Sequence, residues 1–99
     1  MVYSTETGGP FTEEKYVRLF MDVHQHLPEG STAKDVADAH MADLRVQHKF
    51  RVNYLNYWLD EKERRVFCLV QAPDAESAIA CHREAHGFTP DEIYEVVQG

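Results

Sequence analysis

Ninety-nine residues, 43% of them hydrophobic, are enough for one compact domain with a modest core and too few for two. A formal charge of -7, from 17 acidic and 10 basic residues, argues against a nucleic-acid partner, whose affinity rests on Lys and Arg neutralising phosphates. No apolar run approaches the roughly 20 residues that span a bilayer, and no basic-then-apolar leader opens the chain, so a cytoplasmic protein with no membrane partner is expected.

Residues 1–15 hold Ser4, Thr5, Thr7, Gly8, Gly9 and Pro10 with little apolar periodicity and read as a flexible lead-in. Order is expected over 16–99. Residues 16–24 alternate as a first strand, with Val17, Leu19, Met21 and Val23 on one face and Arg18, Phe20, Asp22 and His24 on the other. Pro28 and Gly30 break it, and Thr32 followed by Asp35 predicts an N-cap with an acid in the first turn. The helix expected over 33–48 carries Val36, Ala37, His40, Met41 and Leu44 on one stripe. Aromatic and β-favouring residues over 50–60 (Phe50, Val52, Tyr54, Tyr57, Trp58) predict a second strand, which a charge-mixed turn joins to a third over 65–71. Pro73 and Asp74 open a second helix over 75–86, closed by Gly87. Its apolar face includes Ala78, Ile79, His82 and His86, and a short strand over 93–97 ends the chain.

The order strand, helix, strand, strand, helix, strand, with right-handed crossovers, predicts an α+β, ferredoxin-like sandwich: a four-stranded antiparallel sheet with both helices on one face. The other face stays uncovered. Phe20 falls there by alternation, and the hairpin strands are apolar on both sides, so a homodimer joined sheet to sheet is the simplest cover.

Few groups in the chain can do chemistry. His82 and His86 sit one helical turn apart, roughly 5–6 Å between Cβ atoms, and His40 shares the buried face of the first helix. Cys68, assigned to the helix side of its strand, completes a convergent set of three imidazoles and a thiol. Nickel, zinc or copper would accept such donors. Asp22 and His24 project together from the first strand and suggest a second, more exposed site, completed across a dimer interface. His26 and His48 lie in or near loops and stay outside the metal set. Cys68 and Cys81 are too few for a disulfide framework and read as free thiols.

Two rival readings remain. Asp22 and His24 could serve as a general base beside an aromatic pocket of Phe20, Tyr54 and Trp58, making a small dimeric enzyme or aromatic-ligand binder. No nucleophile, phosphate loop or dinucleotide fingerprint marks such chemistry, so no catalysis is expected. The other rival is a regulatory module whose open sheet binds a different protein.

The succession Phe20-Met21-Asp22-Val23-His24, Ala39-His40-Met41-Ala42-Asp43-Leu44, Tyr57-Trp58-Leu59-Asp60, Phe67-Cys68-Leu69 and His82-Arg83-Glu84-Ala85-His86-Gly87 resembles a family of small bacterial nickel-binding proteins, largely catalogued as a domain of unknown function. The resemblance implies a ferredoxin-like dimer that binds divalent nickel mainly through histidine. Its recurring ligand positions fall on His24, His40, Cys68, His82 and His86, with Asp22 a weaker sixth. The N-terminal extension, and Glu63 and Arg64 where the family's hairpin turn commonly has glycine, depart from the pattern. Because ligating imidazoles must be neutral and a thiol deprotonated, nickel binding should release protons and weaken below about pH 6.

Overall fold

The computed structural model describes residues 18–99. The expected lead-in over 1–15, and Tyr16 and Val17 at the start of the expected first strand, lie outside the described residues. Strand β1 (Leu19–His24) leads to helix α1 (Ala33–Val46) and a single 3-10 turn (Gln47–Phe50); strands β2 (Asn53–Asp60) and β3 (Arg65–Gln71), helix α2 (Ala75–Ala85) and strand β4 (Glu92–Val96) follow. The sheet order is β2-β3-β1-β4, and every neighbouring pair is antiparallel. This is the ferredoxin-like arrangement the element order predicts.

Local chemistry sets the helix starts. Thr32 Oγ1 accepts from the Asp35 N–H at 3.1 Å while an Asp35 carboxylate oxygen accepts from the Thr32 N–H at 2.9 Å, a reciprocal cap on two orphan donors. Asp74 caps α2 through the Ser77 N–H at 2.8 Å. At the far end of α1 the α-helix stops two residues earlier than the apolar pattern suggests. The 3-10 turn and a left-handed Arg51 (φ 60°) redirect the chain, and Gln47 Oε1 accepts from the Tyr54 N–H at 2.8 Å, so β2 begins at Asn53 and not at Phe50.

Cross-strand registers show which face is which. Phe20 pairs with Val70 and Val70 with Tyr54; Asp22 pairs with Cys68 and Cys68 with Tyr57. Phe20, Tyr54, Cys68 and Val70 share a core with Val36 of α1 and with Ala78 and Cys81 of α2, which places both helices over this face. Phe20, expected on the open side, is therefore a core residue, only 4% exposed. Alternation in β1 carries no sign when both of its faces are apolar; pairing with Val70 decides it.

A register shift between Tyr54 and Asn56 is a β-bulge, with Leu55 as the extra residue. It puts Tyr54 and Tyr57, three residues apart, on the same face. Trp58 lands on the opposite one, 51% exposed and paired with Phe67. The aromatic pocket of Phe20, Tyr54 and Trp58 does not form, since two of those rings are core and the third lies across the sheet. Leu19, Met21, Phe67, Leu69, Trp58 and Tyr94 line the side away from the helices by the same registers. No helix among the described residues is long and apolar enough to cross a membrane.

Candidate metal centre

Five polar side chains meet between the sheet and the helices. β1 supplies Asp22 and His24, two residues apart on one strand face; β3 supplies Cys68, directly opposite Asp22. α2 lowers His82 onto them, and α1 contributes Asp43. Asp22 is fully buried, His82 is 1% exposed and Asp43 2%. Cys81 Sγ approaches the Asp43 carbonyl at 3.8 Å, so α1 and α2 pack closely where their polar residues converge.

His82 is the hub. Its Nε2 lies 3.0 Å from an Asp22 carboxylate oxygen and its Nδ1 2.9 Å from Asp43. His86, one turn on, places Nε2 3.2 Å from Asp43, and His24 Nε2 lies 3.2 Å from Asp22 Oδ1. The Tyr54 ring supports His82 from below at 4.6 Å between centroids, and its hydroxyl donates to the Ala78 carbonyl at 2.9 Å. The donor atoms of Asp22, His24, Cys68 and His82 all lie within 4.8 Å of one another, as do those of Asp43, His82 and His86. Two metal–donor bonds of about 2.0–2.3 Å placed end to end span about 4.0–4.6 Å, so a shift of a few tenths of an ångström at most would bring either group onto one ion.

Burial alone would push the His82 imidazole down, but hydrogen bonds to Asp22 and Asp43 outweigh it and raise the group to about 9. Burial pushes the two carboxyls up, and their imidazole partners reverse this: His24 and His82 hold Asp22 below the usual carboxylate range, and His82 and His86 do the same for Asp43. Burial first, and then the Asp22 and Asp43 charges, hold the Cys68 thiol well above its ordinary value. A dication among these groups would take the place of the protons on His82 and Cys68.

One atom tests whether the residues suit a cation. Asp22 Oδ1 is buried and has no hydrogen-bond partner; His24 Nε2 lies 3.2 Å from it as an ion-pair contact. An orphaned buried acceptor of this kind costs on the order of 1–3 kcal/mol. It faces a thiol and two imidazoles, a donor set of mixed softness that suits nickel, copper or zinc. The residues fit a divalent transition metal.

The structure sorts the residues expected at the site. Asp22 and His24 do not form a separate, exposed pair; they face the helices and share one cluster with Cys68 and His82, because the inward phase of β1 is the one carrying Phe20. Cys68 is on the helix side, as assigned. His40 stands outside both donor groups: it is partly buried, its ring lies 4.8 Å from that of Tyr57, and burial pushes its imidazole down. Cys68 and Cys81 form no disulfide.

Asp43 is the residue the apolar pattern overlooks. Met41, counted on the inner stripe of α1, is 49% exposed, and the inward line is instead Val36, the partly buried His40 and Asp43, at the i, i+4, i+7 spacing of a helix face. An acid on that line goes unseen when only apolar residues are counted. A cavity of about 670 Å³, lined by His24, His40, Asp43, Cys68, His82 and His86 among others, connects the cluster to the surface.

A family model described as nickel responsive protein SCO4226-like matches residues 20–96. The crystal structure of SCO4226 from Streptomyces coelicolor A3(2) is 36% identical in sequence and superposes with a TM-score of 0.75, covering 82% of this chain and 98% of that one. No curated protein matches.

Proposed function

The chain belongs to the SCO4226-like family of nickel-responsive proteins, and from that premise we propose that it binds a divalent transition metal, nickel foremost, at the cluster centred on His82. The observation that carries the reading is the orphaned Asp22 Oδ1, buried against three further donors from two strands and a helix. Zinc and copper would compete for the same atoms, since a site of this composition follows the general affinity order of the first-row divalent ions.

The proposed role is holding the ion, in sequestration, buffering or sensing, with no reaction catalysed. The donors come from regular elements, so they are aimed before any ion arrives, and the cavity supplies a way in. The protein would act in the cytoplasm as a homodimer whose subunits join through the sheet face bearing Trp58 and Tyr94. Exposure of those two rings, 51% each, supports an apolar cover there. Calorimetric titration of untagged, metal-stripped protein with NiCl2 tests the reading. Uptake by the wild type, lost in His82→Ala, is expected; no heat and no retained nickel after desalting would refute it.

A further inference from the structure

His82 shows one nitrogen to each of two donor groups: Nε2 to Asp22, His24 and Cys68, and Nδ1 to Asp43 and His86. A neutral imidazole has one N–H and one lone pair, so one nitrogen ligates only while the other donates. Which side an ion takes depends on what the neighbours of His82 can offer.

The surroundings of His86 discriminate. Gly87 is left-handed (φ 85°), and the chain turns back so that the Phe88 backbone N–H donates to His86 Nδ1 at 3.1 Å. The Phe88 ring stacks on the imidazole, 5.6 Å between centroids. With that lone pair engaged, the single proton of a neutral His86 sits on Nε2, the atom that faces Asp43. Nε2 is then a donor to the carboxylate and has no lone pair for a cation. On this side of His82 only Asp43 is left to ligate. The Nε2 side offers a thiol, an imidazole and a carboxylate oxygen without a partner.

We infer that the ion takes the Nε2 side of His82, held by Asp22, His24, Cys68 and His82, while Asp43 and His86 are positioning residues. The inference rests on the nickel-binding reading and narrows it. Asp43 accepts the N–H of His82 Nδ1 and the N–H of His86 Nε2, which fixes the His82 tautomer and the aim of its other nitrogen. His86 in turn orients Asp43, and the Phe88 N–H fixes His86. A carboxylate behind a ligating imidazole is typically worth 10–100-fold in metal affinity, without itself touching the ion.

X-ray absorption of the nickel-loaded wild type, with the visible spectrum and a calorimetric titration, tests the assignment. One ion per chain with one sulfur and two imidazole neighbours is expected. His86→Gln and His86→Ala should keep that neighbour count and the thiolate-to-nickel charge-transfer band, with affinity down about 10–100-fold. Cys68→Ser should lose the band, and His24→Ala one imidazole. A nickel shell without sulfur, or one imidazole fewer in a folded His86 variant, overturns the inference. The wild-type neighbour count decides even if a variant fails to fold. A wild type that takes up no nickel overturns the parent reading, whereas one that binds nickel with His86 as a ligand overturns this inference alone.

Discussion

Raising the pH from 6 to 9.5 should destabilise the metal-free protein. His82, held at about 9 by Asp22 and Asp43 against a burial penalty that acts the other way, has an ordinary value near 6.5 once the chain unfolds. Between those two values the folded state binds the extra proton, so stability falls as pH rises. The contribution is complete below about pH 6.5 and gone above about pH 9. At 1.36 kcal/mol per pH unit it amounts to on the order of 3 kcal/mol. With a urea dependence of about 1–2 kcal/mol/M for a domain of this size, the midpoint should drop by about 1.5–3 M. Urea titrations of EDTA-treated protein, followed by far-UV circular dichroism, measure this directly. His82→Gln should flatten the dependence. A wild-type midpoint that holds steady or rises across the range would show that no proton is trapped between the two carboxylates.

On the acid side the sign reverses: Asp22 and Asp43, held below their usual range, contribute stability that is present above about pH 4 and lost on further acidification, and an acid titration by circular dichroism reads the loss. His40→Ala should leave nickel affinity within about threefold, because His40 belongs to neither donor group; a loss beyond tenfold in calorimetry would place it at the ion. Tyr54→Phe should cost about 1 kcal/mol by removing the hydroxyl that donates to the Ala78 carbonyl, seen as a lower thermal midpoint. Trp58→Glu with Tyr94→Glu should convert a dimer to a monomer in light scattering without unfolding the chain, and an unchanged mass would move the proposed interface elsewhere.

Element order was legible in the sequence because its punctuation is chemical: Thr32 with Asp35, Asp74 after Pro73, and Gly87 all sit where the structure begins or ends a helix. Face assignment was not, for two reasons. Both phases of β1 carry large apolar residues, so Phe20 could be turned either way until its partner on β3 was known. In β2 the bulge at Leu55 breaks the alternation on which any such reading depends, and it separates Trp58 from Tyr54. The histidines and Cys68 stood out by residue type, and the family resemblance brought Asp22 and His24 to the same list. Asp43 escaped because a buried acid resembles a surface one until the groups it neutralises are located in space. His40, an imidazole on the same stripe, falls in neither compact donor group and packs against Tyr57.

Asp22 and His82 are 60 residues apart along the chain, and any ion joining them closes that stretch into a ring. Cross-linking a loop of such length restricts the unfolded chain by about 4 kcal/mol in the chain-entropy treatment used for disulfides. Loading would thus fasten β1 to α2 by a removable rivet, leaving the empty protein open to proteases that the filled one resists. Cellular lifetime would then follow the supply of the metal, and the amount of this protein would itself report how much is present.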